Sequence, residues 1–169
     1  FVSKVQEGQS FKAIKTFKQV VEEVSSGPNA KIEFKDQALN DMVVVYSEME
    51  ESEKWLEAKD YFLSVLPRKQ AYLKLEKLAD LYQSADRHDV AITMYRHFIE
   101  SDKTSAKVPL FYSKIFESLQ DLNDYSKIEE FVVEIYNFFT PEGIWMTVNN
   151  QAIEAKESAN QLVEKILLF

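Results

Sequence analysis

The chain has 169 residues, of which 46% are hydrophobic and 28% charged, and its formal net charge is -8. With only three glycines and four prolines it has few of the turns that a strand-rich fold needs, so long helices are expected. The lack of cysteine excludes disulfides, thiolate zinc sites and cysteine nucleophiles, and the acidic balance argues against nucleic acid and anionic membranes as partners.

Apolar residues at helical spacing predict seven helices before a long closing helix. In chain order the seven cover about Gln9–Val24, Lys31–Glu50, Trp55–Leu66, Lys69–Ser84, Asp89–Ser101, Pro109–Leu122 and Tyr125–Phe139. The letters "SSGPNA" predict a loop after the first helix, because Gly-Pro interrupts helices. Pro109 suits the first turn of the sixth helix.

The last segment predicts one uninterrupted helix opened by "TPEG", with Thr140 as its cap and Pro141 in its first position. Its apolar residues recur at gaps of three and four without a break: Trp145, Val148, Ala152, Ala155, Ala159, Leu162, Ile166 and Phe169. At 1.5 Å per residue such a helix is about 42 Å long, so its second half is expected to project past the helices before it.

A small residue followed four positions later by an aromatic one recurs along the chain. Ala91 and Tyr95 form such a pair, and Ala58 and Phe62 form another 33 residues earlier. Ala13 and Phe17 form a further pair near the start of the chain. Ahead of these pairs, Trp55 precedes His88 by 33 residues. Downstream, a spacing of 37 residues relates His88, Ala91 and Tyr95 to Tyr125, Ile128 and Val132. A period in the mid-thirties indicates a repeat architecture.

The stretch from Tyr72 to Ser105 resembles a tetratricopeptide repeat, a 34-residue helix–turn–helix unit. The residues that carry the resemblance are Leu75, Leu78, Ala79, Tyr82, Ala91, Tyr95 and Phe98. The neighbouring repeats depart from the pattern, since Tyr46 and Phe116 stand where the family has a small residue. The resemblance implies an all-α, right-handed superhelix (an α-solenoid) of helix–turn–helix repeats, closed here by the long C-terminal helix.

The predicted organisation is a single domain over 1–169. Its parts are the second helix of a partial repeat with its loop (8–30), a repeat (31–71), the best-matching repeat (72–105), a further repeat (109–140) and the capping helix (141–169). Both ends are expected to be cuts through a longer helical sequence.

No pattern of catalytic or metal-binding residues is found in the sequence. His88 and His97 share no helix face and are expected as a turn residue and a helix-surface residue. The acidic run from Ser47 to Glu53 lacks the ligand spacing of a calcium loop and predicts a solvated turn, or else a contact for a basic partner. No cofactor and no enzymatic activity are predicted.

The first helix of each repeat is expected to line the concave side of the superhelix. In the predicted register that side carries Asn40, Val43, Ser47, Glu50 and Glu51, then Leu73, Glu76, Lys77, Asp80 and Gln83, then Ser113, Lys114, Glu117, Gln120 and Asp121. Some family members hold a C-terminal carboxylate with Lys and Asn at these positions, but Val43, Glu76 and Ser113 replace the basic residue in this chain. The groove is acidic and polar, which favours a ligand with Lys or Arg.

The last helix offers a second predicted surface, made of Leu162, Ile166 and Phe169 in the part expected to project. Three expectations for it stay open: packing on further residues of a longer chain, a homodimer, and a bend that folds it back.

The function predicted from these observations is a non-catalytic scaffold for protein–protein interaction. It would bind a protein or peptide, basic in character, through the groove or the terminal helix, with no nucleic acid partner and no membrane insertion. The alternatives are a structural or oligomerisation segment and a regulatory domain of a larger protein. The sequence indicates no cellular compartment.

Overall fold

The computed structural model describes the backbone of residues 2–26 and 32–168, with the side chains of 8–26 and 33–168. Regular structure in these ranges is helical throughout, which confirms the all-α prediction. The chain divides into two compact units, Phe1–Ser84 and Ala85–Phe169, and the division falls inside the segment predicted as the best-matching repeat.

The first unit consists of four helices around α2. They are α1 (Val2–Ser26), α2 (Ile32–Glu48), α3 (Lys54–Val65) and α4 (Arg68–Ser84). Helix α2 packs against α1, α3 and α4, and α3 also packs against α4. Apolar and aromatic side chains close the space between them, among them Met42, Tyr46 and Phe62, which are wholly buried.

Two sets of hydrogen bonds show that α2 and α4 run parallel. In the first half of α2, the Lys74 ammonium bonds to the side chains of Asp36 and Asn40. At the other end, the Tyr82 hydroxyl donates to the carbonyl oxygen of Tyr46 over 3.0 Å. Because early residues meet early residues and late residues meet late ones, the two helices point the same way.

The second unit repeats this arrangement around α6. Its helices are α5 (His88–Ser101), α6 (Val108–Asp121), α7 (Tyr125–Phe138), α8 (Ile144–Val148) and α9 (Ile153–Leu167). Helix α6 packs against α5, α7 and α9, and α7 also packs against α9. The order of neighbours is therefore that of the first unit, with α5, α6, α7 and α9 in the places of α1, α2, α3 and α4.

The backbone has a similar conformation ahead of α5 and α7. Asp86 and Asn123 are the two non-glycine residues with positive φ in the described part of the chain, at 58° and 54°. Each lies two residues before the start of its helix, and they are 37 residues apart, as the sequence pattern places His88 and Tyr125. Asp and Asn tolerate this left-handed conformation better than most side chains.

The predicted bounds of the third to seventh helices, and the predicted end of the second, agree with the structure to within two residues. Helix α1 begins earlier than predicted, at Val2. The loop predicted at "SSGPNA" falls largely on residues 27–30, which lie outside the described residues, as does the predicted helix start at Lys31.

The prediction of one long C-terminal helix is wrong. A turn at 149–152 separates α8 from α9, and "TPEG" forms a turn that ends at Gly143, the residue that caps α8. The cause is an anchor on the loop between α5 and α6. The Trp145 indole donates to the Ser105 carbonyl over 2.8 Å, and the Asn149 amide donates to the Thr104 carbonyl over 2.9 Å.

Aromatic rings continue this anchor into the core of the second unit. Phe139 meets the Trp145 ring edge-on, with ring centres 4.9 Å apart, and Tyr112 lies 5.8 Å from Phe139 and 5.6 Å from Phe131. Such edge-on and tilted pairs are favourable beyond the area that they bury. They hold α8 to its own unit, so the chain after α7 turns back.

Candidate interaction surfaces

The polar residues predicted for the groove in the first unit lie near the C-terminal end of α2, just after it, and from the middle of α4 to its C-terminal end. Because the two helices are parallel, the end of α2 with Ser47 and Glu50 lies at the same end of the unit as Asp80 and Gln83 of α4. Lys77 and Asp80 are exposed, and Glu76 and Gln83 are half-buried. The residues Ser47, Glu50, Glu76, Lys77, Asp80 and Gln83 are called the α2/α4 face.

One residue of the predicted groove is placed differently. Val43 is wholly buried, and the exposed side of α2 runs through Gln37, Asp41, Val44 and Glu48. Val43 is buried because α2 is the central helix of its unit and has three neighbours. The hydroxyl of Ser47 donates to the Val44 carbonyl over 2.7 Å.

In the second unit the predicted residues Ser113, Lys114, Glu117 and Gln120 are half-buried on α6. The Glu117 carboxylate accepts from Ser113 and pairs with Lys165 of α9, each at 3.4 Å. Lys165 also lies over the Phe116 ring. The sequence analysis missed Lys165, whose charge offsets that of Glu117 and makes this face less acidic than predicted.

The projecting apolar surface predicted on the last helix does not form. Leu162 and Ile166 are each 3% exposed, because the turn at 149–152 lays α9 against α6 and α7. They belong to the core of the second unit and not to a projecting surface. Of the three expectations for this segment, the bend occurs. Phe169 lies outside the described residues.

Each unit contains a buried tyrosine hydroxyl bonded to a glutamate that also pairs with a cation. In the first unit Tyr46 donates to Glu57 over 3.2 Å, and Lys18 lies 3.1 Å from the same carboxylate oxygen. In the second unit Tyr112 donates to Glu134 over 3.1 Å, and Arg96 binds both oxygens of that carboxylate at 3.0 and 3.1 Å. These two groups are called the Tyr–Glu–cation triads.

The triads occupy matching helices, with the cation on α1 or α5, the tyrosine on α2 or α6, and the glutamate on α3 or α7. Burial raises the pKa of Tyr46 and of Tyr112, and the neighbouring carboxylate raises it further. Burial alone would raise the pKa of Glu57, but the Lys18 hydrogen bond and charge and the Tyr46 hydroxyl outweigh it, so that pKa is lowered. The triads tie three helices together in each unit. Their outer members also line surface cavities, Lys18 one of about 600 Å³ and Arg96 with Glu134 one of about 390 Å³.

His88 and the acidic run after α2 lie in different environments. His88 starts α5 and is buried, instead of lying in a turn, with its Nε2 3.7 Å from Asp86 and 3.9 Å from Asp121. Residues 50–53 are exposed between α2 and α3, as predicted for a solvated turn. Among the described residues no group of three or more His, Cys, Asp or Glu side chains could hold a metal ion.

The sequence analysis also missed a cleft between α7 and α9. It has a volume of about 530 Å³ and is lined by Tyr125, Ile128, Glu129, Val132 and Ile166. The side chains are mostly apolar, and Glu129 supplies the one charge among the described residues that line it. These five residues are called the α7–α9 cleft.

None of the helices in the described part of the chain is both long enough and apolar enough to span a bilayer. Comparison of the sequence with protein-family models, with curated proteins and with solved structures gave no match.

Proposed function

We propose that the chain is a non-catalytic scaffold for protein–protein interaction, built as a right-handed superhelix of tetratricopeptide-like hairpins. The observation that carries the proposal is the recurrence of one four-helix arrangement in both units. When repeats pack by the same contacts, the core uses one side of each helix. The residues on the other sides can then differ from protein to protein and suit different partners.

The proposed partner segment is basic, and the α2/α4 face is its proposed contact. Glu50, Glu76 and Asp80 outnumber Lys77 there, and the chain as a whole carries a charge of -8. Complementary charge raises the rate of encounter and selects among partners more than it adds affinity. Binding is therefore expected to weaken as salt rises.

The experiment compares two doubly substituted full-length chains as baits in a native lysate. Glu76→Lys with Asp80→Lys reverses the α2/α4 face, whereas Glu154→Lys with Glu157→Lys makes the same change of charge on exposed residues of α9. The wild type and the α9 variant are expected to capture the same salt-sensitive proteins, and the face variant to lose them. Equal capture by the two variants would contradict the proposal.

A further inference from the structure

The α7–α9 cleft exposes a stripe of side chains whose counterparts are buried elsewhere in the chain. The small-and-aromatic pattern gives three equivalent stripes on α3, α5 and α7. They are Trp55, Ala58 and Phe62; His88, Ala91 and Tyr95; and Tyr125, Ile128 and Val132. In the first two stripes every residue is buried.

On α7 the stripe is open at both ends. Tyr125 is 61% exposed, whereas Trp55 and His88 in the matching position are each 6% exposed. Val132 is half-buried, whereas Phe62 and Tyr95 are buried. Only the central Ile128 keeps the burial of its counterparts.

Helices cover the matching stripes. The Phe62 ring meets Tyr46 of α2 edge-on, and Tyr95 stacks on Phe111 of α6 with ring centres 6.1 Å apart. In the second unit α6 and α9 hold the places of the covering helices, yet they leave Tyr125 and Val132 partly open beside a groove of about 530 Å³. Apolar residues at this helical spacing suit contact with a further helix.

We propose that the α7–α9 cleft docks an amphipathic helix of a partner protein, with apolar residues at helical spacing and a Lys or Arg that meets Glu129. The apolar anchors enter between Tyr125, Val132 and Ile166, which line the cleft. The occupant is proposed to be basic because Glu129 is exposed and is the charged side chain that lines the cleft. This surface is separate from the α2/α4 face, so either proposal can fail alone.

The test uses the isotope-labelled full chain and two synthetic helical peptides. Both carry Leu at i, i+3, i+4 and i+7 and differ only in having Lys or Glu at the flanking polar positions. Amide chemical shifts locate the binding, and fluorescence anisotropy measures its affinity. We expect the Lys peptide to bind about tenfold more tightly than the Glu peptide, with shift changes confined to α7 and α9.

Three variants connect the binding to the cleft. Glu129→Lys is expected to reverse the preference between the peptides, and Tyr125→Ser to weaken the Lys peptide about tenfold through loss of an aromatic anchor. Val133→Ser is the matched control, since Val133 is as exposed as Tyr125 on the same helix but does not line the cleft.

The proposal is overturned by absence of binding, by equal affinity of the two peptides, by shift changes elsewhere, or by a Glu129→Lys variant that keeps the original preference. Sedimentation of the free chain supplies a further test. A concentration-dependent dimer that Tyr125→Ser abolishes would show that a second copy occupies the cleft, and would equally overturn it.

Discussion

In each unit, the helices bury a tyrosine hydroxyl that donates a hydrogen bond to a glutamate carboxylate. A buried hydroxyl without a partner is costly, so Tyr46 and Tyr112 need Glu57 and Glu134. The carboxylates in turn need a cation, because a charge that is partly removed from water must be paired or hydrogen-bonded. At the scale of residues, the same chemistry thus ties three helices together twice.

Replacement of Tyr112 by Phe is expected to lower the free energy of unfolding by about 1 kcal/mol, since it removes the 3.1 Å hydrogen bond to Glu134 and leaves the Arg96 pair in place. Urea denaturation measures the change. Tyr136→Phe serves as the control, because Tyr136 is exposed on α7 and its change is expected to be near zero. Equal effects of the two substitutions would show that the buried hydroxyl contributes nothing.

Glu57 predicts a pH dependence of stability. Its pKa is lower in the folded chain than the ordinary value of 4.5, so the contribution of the carboxylate to stability is complete above that value and is lost as the pH falls through the lowered pKa. Below pH 4.5 the Glu57→Gln variant is therefore expected to lose stability less steeply than the wild type. Glu51→Gln is the control at an exposed position, and its stability is expected to fall with pH as steeply as that of the wild type. The same steepness in Glu57→Gln would argue against this role for Glu57.

At the scale of elements, the break between α8 and α9 depends on Asn149. Its side chain is buried and donates both to Thr104 and to the carbonyl of Trp145. Asn149→Ala is expected to cost about 1–3 kcal/mol in thermal or urea unfolding, because the Thr104 carbonyl loses its donor. Asn150→Ala is the control at an exposed neighbour, and a loss of the same size there would contradict the anchor.

The turn before α7 is expected to tolerate glycine better than alanine. Asn123 holds a φ of 54°, which glycine adopts without strain and alanine does not. Asn123→Ala is expected to be about 1–2 kcal/mol less stable than Asn123→Gly. Equal midpoints for the two variants in urea would mean that this turn can change its backbone conformation at no cost.

The helices could be predicted from the sequence because their signal is local. Apolar residues at helical spacing placed the bounds of α3 to α7 and the end of α2 within two residues. The break after α8 could not be found this way, since the apolar gaps run through it and the residue that fixes it, Asn149, bonds to a carbonyl 45 positions earlier. Three consecutive polar residues, 149–151, were the one local sign of a turn.

The candidate surfaces were predicted less well for the same reason. Which residues belong to α2, α4 and α6 was clear from the pattern, but the partners that set their charge were not. Lys165 offsets Glu117 from 48 positions away, and Val43 is buried by helices that lie on three sides of α2. The α7–α9 cleft depends on where α9 turns back, so it could not be anticipated once that turn was missed.

At the scale of the whole molecule, one arrangement of four helices occurs twice with little sequence likeness. In both units a lysine of the last helix reaches an acid of the central one, Lys74 to Asp36 and Lys165 to Glu117. A second contact in each unit fixes the direction as parallel. Tyr82 bonds to Tyr46 at the C-terminal ends of α4 and α2, and Asn149 ahead of α9 bonds to Thr104 ahead of α6. In a bundle of alternating up and down helices the second and fourth helices are also parallel, but they lie diagonally across the shared centre. Here α2 and α4 are direct neighbours that share hydrogen bonds.

Chemical cross-linking tests this central claim, and the lack of native cysteine makes it direct. Cysteine pairs at Asp36 with Lys74 and at Glu117 with Lys165 are expected to join rapidly through a short bismaleimide. The pairs Asp36 with Gln83 and Leu110 with Lys165 are displaced along the helix axes by about 10 Å or more and are expected to stay unlinked. Rapid linking of these displaced pairs, with none at the first two, would contradict the parallel arrangement.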